Sequence, residues 1–146
     1  MNTLAFIPAR SGSKGVIDKN IRNLNGIPLV AYSVHIAQLC LKQEIFSDVL
    51  VSTDSIHYLE KIKQTGYTNE YIRPKELAQD ESPTIDAITH AINDYAKRNI
   101  FFDNVMILQP TSPFRCIEDI KKSIQILESN PLTTCVASVF KLSDHH

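Results

Sequence analysis

The sequence has 146 residues, 43% of them hydrophobic and 21% charged, with a formal net charge of −1. That is enough for one domain that buries roughly two-thirds of the surface its unfolded chain exposes. A near-neutral chain has no global field for nucleic acid or for a charged membrane, and no apolar run approaches the ~20 residues of a membrane span.

The predicted elements alternate between strand and helix. Leu4, Ala5, Phe6 and Ile7 read as a buried strand over residues 3–8. The chain then switches to residues that cannot build a core: Arg10, Ser11, Ser13, Lys14, Asp18, Lys19 and Arg22, with Gly12 and Gly15 among them. Residues 28–41 are helix-like, with Leu29, Val30, Ser33, Ile36, Ala37 and Cys40 near the 3.6-residue period; Gly26 and Pro28 punctuate the approach. Val49-Leu50-Val51 reads as a short buried strand ended by Ser52-Thr53-Asp54-Ser55, and residues 56–65 as a helix stopped at Gly66. Tyr71-Ile72 reads as a short strand broken at Arg73-Pro74. Ser82-Pro83 looks like an N-cap followed by proline in the first turn, ahead of a helix with Ile85, Ile88, Ile92 and Tyr95 on one face. Val105 to Leu108 is the most apolar strand and ends at Gln109-Pro110-Thr111-Ser112-Pro113. Ile117, Ile120, Ile124 and Leu127 mark another helix, and Thr134 to Phe140 a final strand.

Cys40, Cys116 and Cys135 are far apart and show no Cys-x-x-Cys spacing. They read as reduced, mostly buried thiols of a cytoplasmic protein. Arg10 and Lys14 follow the N-terminal apolar stretch, the reverse of a secretory signal. His35, His57 and His90 fall in helix-like segments and read as structural, while His145 and His146 close the sequence.

The loop after the first strand carries chemistry. Its four cations and one carboxylate, with two glycines between them, suit an anion. Gly12 and Gly15 let the backbone approach a ligand and reach positive φ, successive N–H groups can converge on phosphate oxygens, and Lys14, Lys19 and the planar fork of Arg10 add charge. A triphosphate is the natural guest. It is neither a Walker A nor a Gly-x-Gly-x-x-Gly loop, and the same composition also suits a solvated basic turn. Alternation of strands and helices predicts an α/β fold, with an open, mostly parallel sheet and helices on both faces. Ligands of such sheets bind beyond the carboxyl ends of the strands. The polar loops after three strands then form one cleft lined by Arg10, Ser13, Lys14, Asp54, Gln109, Thr111 and Ser112. Asp54 reads as a helix cap in preference to a catalyst.

Five segments carry a resemblance: Ile-Pro-Ala-Arg-Ser-Gly-Ser-Lys-Gly at 7–15, Lys19-Asn20-Ile21-Arg22, Val-Ser-Thr-Asp-Ser at 51–55, Arg-Pro-Lys-Glu-Leu-Ala-Gln-Asp at 73–80, and Leu-Gln-Pro-Thr-Ser-Pro-Phe-Arg at 108–115. In that order the chain resembles the cytidylyltransferases that activate nonulosonic acids, the CMP-N-acetylneuraminic acid synthetases and their legionaminate and pseudaminate relatives. The resemblance implies a Rossmann-like, glycosyltransferase-A-like nucleotidyltransferase sheet, CTP and a nonulosonic acid as substrates, Mg2+ as cofactor, and a homodimer in the full-length form. It implies that Arg10, Lys14 and Lys19 are catalytic, that Ala9, Arg10, Ser11, Gly12, Ser13, Lys14, Gly15 and Asn20 bind the nucleotide, and that Arg73, Thr84 and Gln109 do so from other segments. It also implies that this is the N-terminal part of a longer protein, because the family's magnesium-binding aspartates lie beyond position 146; no metal ligand is assigned within the chain. Thr111 stands near the place where the Kdo-type enzymes carry a carboxylate. Two alternatives stay open: a catalytically incomplete CTP-binding fragment, and an enzyme for another keto-sugar acid such as Kdo.

Overall fold

The computed structural model describes residues 1–139. By backbone proximity the chain divides into two compact units, the first running from Met1 to Phe114 and the second beginning at Arg115.

In the first unit, β1 (Thr3–Pro8) is central. It pairs in parallel with β4 (Asp48–Ser52) on one side and with β5 (Asn104–Ile107) on the other. Leu4, Ala5, Phe6 and Ile7 are fully buried, as the unbroken apolar run requires of a strand covered on both faces. Between β1 and β4 runs α1 (Leu29–Lys42); between β4 and β5 run α2 (Ile56–Lys63) and α3 (Thr84–Ala96). The chain thus moves outward from β1 to β4 and then crosses back to β5. Right-handed crossovers in opposite directions put their helices on opposite faces. Leu4, Phe6 and Leu50 pack against Ala87, Ile88, Ala91 and Tyr95 of α3. Ala5 and Ile7 point the other way, and α1, packed along β1 and β4, covers that face with Val30, Val34 and Ala37.

Several boundaries differ from the sequence expectation. A hairpin, β2 (Asn23–Leu24) and β3 (Ile27–Pro28), precedes α1. Its two-residue turn has Asn25 at φ 52° and Gly26 at φ 80°, the left-handed pair that an Asn-Gly hairpin turn requires. Tyr71-Ile72 is not a strand: the segment makes one backbone bond to the end of β4, Arg73 N to Thr53 O at 2.7 Å, and Tyr71 N donates to the Asn69 side chain instead. Ser82 does not cap α3. Pro83 holds that position and the Ser82 hydroxyl donates to Glu76 O. The buried stripe of α3 is Ala87, Ile88, Ala91 and Tyr95; Ile85 is exposed and Ile92 half-buried, because small alanines let the helix lie close to the sheet. Of the cysteines only Cys40 is buried; Cys116 and Cys135 are exposed, and none of the three is in a disulfide.

The second unit contains α4 (Ile117–Ser129), whose first turn carries Glu118 and Asp119, the charge sign that suits a helix N-terminus. Residues 134–139 form no strand, which needs a neighbouring ladder that is not found among the described residues. Phe140, the last residue of that expected strand, and His145 and His146 lie outside the described residues.

Candidate functional site

The strand order reverses around β1, so the carboxyl end of β1 beside β5 is the switch point of the sheet. A crevice of about 540 Å³ opens there, within the usual range for small-molecule sites. Arg10, Ser13, Lys14, Gly15, Lys19 and Asn20 line it from the loop after β1, Arg73 and Asp80 from the segment before α3, Thr84 from the first turn of α3, and Gln109 and Thr111 from the loop after β5. Pairing continues past β1 on both sides, Ala9 N to Ser52 O and Leu108 N to Phe6 O, each at 2.9 Å, so the loops depart from a fixed rim.

The loop after β1 is pinned to its surroundings. Ala9 is buried, and Gly12 sits at φ 70°, where any other residue is strained. Gly15 does not adopt positive φ, contrary to the sequence expectation. Ser11 donates its backbone N–H and its hydroxyl to the two carboxylate oxygens of Asp54, both at 2.7 Å. Asn20 is buried in a short 3-10 turn (Lys19–Ile21) and donates from Nδ2 to Arg10 O at 3.0 Å.

Of the seven residues expected in one cleft, Arg10, Ser13, Lys14, Gln109 and Thr111 come together; Asp54 and Ser112 do not line the crevice. Asp54 lies behind the loop, since the chain after β4 leaves on the far side of β1 from β5. Nor is Asp54 the cap of α2: Ser55 Oγ accepts from Tyr58 N in that role. Ser11 and Gly12 border a smaller hollow of about 250 Å³ shared with Asp54, Lys75 and Gln79. The Ser11 N–H, expected to face phosphate, is directed at Asp54 instead.

The electrostatics are lopsided. Four cationic side chains, Arg10, Lys14, Lys19 and Arg73, face a single carboxylate, Asp80. Asp80 ion-pairs with Arg10 Nη2 at 2.7 Å and with Lys14 Nζ, and hydrogen bonds from Lys14 and Arg10 hold its carboxyl below the ordinary value. Arg73 is buried. Its Nε and Nη2 donate to Ser52 Oγ at 2.9 Å and Ser52 O at 2.8 Å, and Nη1 to Leu77 O at 3.4 Å. Burial lowers its pKa, against the opposing pull of Tyr71 and Asp54. Burial by itself raises the Asp54 pKa; the hydrogen bonds from Ser11 and the Arg73 charge outweigh it, and the carboxyl lies below its ordinary value.

Asp80 was missed by sequence reasoning although it ends one of the quoted motifs. Nothing local marks it, because its partners, Arg10 and Lys14, lie far away in sequence, Arg10 by 70 residues. The residues present do not form a cage for a divalent cation: no group of three or more His, Cys, Asp or Glu side chains is so placed among the described residues, and the crevice carboxylate is already paired. No helix among them is long and apolar enough to cross a membrane.

The family model for cytidylyltransferases matches residues 4–145. The chain is 38% identical over 126 residues to the CMP-N,N'-diacetyllegionaminic acid synthase of Legionella pneumophila, covering 86% of this chain and 53% of that protein. It is likewise 38% identical to the N-acylneuraminate cytidylyltransferase of Escherichia coli O18:K1:H7, over 93% of this chain and 30% of the relative. Among solved structures, CMP:2-keto-3-deoxy-manno-octonic acid synthetase complexed with CTP superimposes with a TM-score of 0.71 at 19% identity, over 90% of this chain and 49% of that one. That likeness establishes the mostly parallel α/β fold. The chain spans about half the length of the first of these relatives and less than a third of the second.

Proposed function

The chain belongs to the cytidylyltransferase family, and from that membership we propose that it binds CTP in the crevice beyond β1 and transfers CMP to a nonulosonic acid. The observation that carries the reading is four cationic side chains converging on one crevice at the switch point of the sheet. A triphosphate supplies the negative charge that a lone carboxylate does not.

In the proposed reaction the anomeric hydroxyl oxygen of the sugar acid attacks the α-phosphorus of CTP. A new O–P bond forms, the P–O bond between the α-phosphorus and its bridging oxygen breaks, and pyrophosphate leaves with the bond's electron pair; the hydroxyl proton passes to solvent. Such transfers depend on positioning and charge neutralisation more than on covalent help. Arg10 and Lys14 hold the phosphates and Lys19 neutralises charge on departing pyrophosphate. Ala9, Ser11, Gly12, Ser13, Gly15 and Asn20 shape the loop around them. Arg73 is assigned to the cytosine side, with Thr84 and Gln109 facing nucleotide or sugar. Magnesium belongs to the proposal as the cation that accompanies CTP and would offset phosphate charge there. A cytoplasmic location and a homodimer of the longer form belong to it as well; cysteines outside any disulfide support the reducing compartment, and the dimer follows from the family resemblance.

A second reading, a CTP-binding unit without turnover, is favoured by the missing carboxylate cage among the described residues. Pyrophosphate release from CTP, with Mg2+ and a panel of legionaminic, N-acetylneuraminic, pseudaminic and Kdo acids, separates the two. Turnover with a nonulosonic acid supports transfer. Tight CTP binding without pyrophosphate release supports the binding unit, and release with Kdo alone favours the other keto-sugar.

A further inference from the structure

We infer that the start of α2 is a brace for the loop after β1, with Asp54 and Tyr58 as its positioning residues. The inference rests on the CTP reading of that loop and extends it to residues that do not line the crevice.

The loop is tied to α2 at two places and to itself at a third. Asp54, two residues before α2, takes both donors of Ser11 at 2.7 Å near the loop's beginning. Tyr58, one turn into α2, donates its hydroxyl to Asp18 Oδ1 at 2.8 Å near the loop's end. Asp18 adopts φ 53°, a left-handed conformation that an aspartate tolerates only at some cost. Its carbonyl accepts from Ile21 N at 3.0 Å and Arg22 N at 2.9 Å, which closes the short turn presenting Lys19 and Asn20. Asn20 then reaches back to Arg10 O. The mostly exposed residues between the two ties, Gly12 to Ile17, are thus strung across a fixed span that carries Lys14, with Arg10 and Lys19 next to its two ends.

The ties are of the strong kind. Each involves a carboxylate acceptor, and the Tyr58 ring is buried, which gives the tether a rigid post. Burial, the Asp18 hydrogen bond and nearby carboxylates raise the Tyr58 pKa, so the phenol remains a donor at any working pH. Asp54 and Tyr58 are separated by the extended N-cap Ser55 and the first two residues of α2, a short stretch that fixes the distance between the two loop ends. Phosphate recognition by backbone N–H groups and hanging cations needs such preorganisation, because ordering a free loop opposes binding.

The test uses the whole chain. Tyr58→Phe removes only the hydroxyl, and Asp54→Asn keeps the shape while breaking the paired acceptance. CTP affinity is measured by calorimetry, and amide hydrogen exchange is followed in peptides covering residues 12–18 and α3. The brace predicts CTP binding weakened about tenfold in each variant, in line with losing a hydrogen bond to a charged group. It also predicts exchange that accelerates in 12–18 and not in α3, with melting temperature moved by less than about 5 °C. A merely structural role would lower the melting temperature by more than that and leave the exchange difference unlocalised. Unchanged affinity and unchanged exchange in 12–18 would overturn the inference. If the parent chain binds no CTP, the functional reading fails by itself, and the exchange arm still decides whether the brace holds the loop. Should Asp54→Asn fail to fold, Tyr58→Phe alone decides.

Discussion

Asp80 Oδ1 accepts from Arg10 Nη2 at 2.7 Å, and the other oxygen of the same carboxylate meets Lys14, so an acid from the segment before α3 neutralises two cations of the loop after β1. The crevice carries its own counter-ion. Under the proposed CTP reading, a triphosphate displaces by charge number a single carboxylate that is about one-third exposed.

Asp80→Asn therefore raises affinity for CTP and for inorganic pyrophosphate by about two- to fivefold, the range expected for losing an exposed ion-pair competitor. Calorimetry on parent and variant reads it directly. The pH dependence has a definite sign. Because the Asp80 pKa is lowered by Lys14 and Arg10, the competitor stays ionised above its ordinary pKa and is lost only as pH falls through the lowered value. The affinity ratio between variant and parent persists at neutral pH and collapses towards one in acid. A weaker-binding Asp80→Asn would show that the acid positions the cations and does not compete.

Arg10→Ala and Lys14→Ala each weaken CTP binding on the order of tenfold or more, as expected when a charge-assisted phosphate contact is deleted. Because Lys14 is largely exposed, its removal leaves the melting temperature unchanged. A variant that binds CTP like the parent would remove the loop from the site.

Arg73→Met costs stability before anything else. It removes the Arg73 donors to Ser52 Oγ, Ser52 O and Leu77 O in a buried position, leaving Ser52 O only its bond from Ala9 N, at about 2 kcal/mol. Arg73→Lys does not restore the loss, since an ammonium cannot reproduce the fork that spans Ser52. Urea denaturation with a constant slope checks both.

Asp54 links the loop to acid sensitivity. Burial raises its pKa and the Ser11 hydrogen bonds with the Arg73 charge more than reverse that, so the folded value lies below the unfolded one. A depressed carboxyl contributes stability that is present above the unfolded pKa and is lost as pH falls through the folded value. The stability gap between parent and Asp54→Asn is therefore full at pH 7 and closes in acid below the ordinary aspartate range. A gap independent of pH would mean that the Asp54 charge is not what Ser11 recognises.

Several features were legible in sequence because they are local. The unbroken apolar run Leu4–Ile7 implied a strand covered on both faces, and the 3.6-residue spacing of Val30, Ser33, Ala37 and Cys40 marked the inward face of α1. The glycine-bearing cationic loop stood out by composition. The Asn25-Gly26 hairpin was equally local and was passed over, although its dipeptide is a direct turn signal. Tyr71-Ile72 has the residue types of a strand and is none, because β propensity becomes a strand only where a ladder is available.

By itself the sequence determined the sheet strands β1, β4 and β5, the helices α1 to α4 and the cationic loop, since backbone periodicity and side-chain charge are properties of neighbours along the chain. The tertiary structure decided which loops meet. The reversal of strand order around β1 brings Arg10, Lys14 and Lys19 to Gln109 and Thr111, and sends Asp54 behind the loop as its support. It also carries Asp80 across 70 residues to face Arg10. These pairings depend on the direction of each crossover, and a crossover's direction is set by how helices cover the two faces of a sheet, which no short stretch of sequence contains.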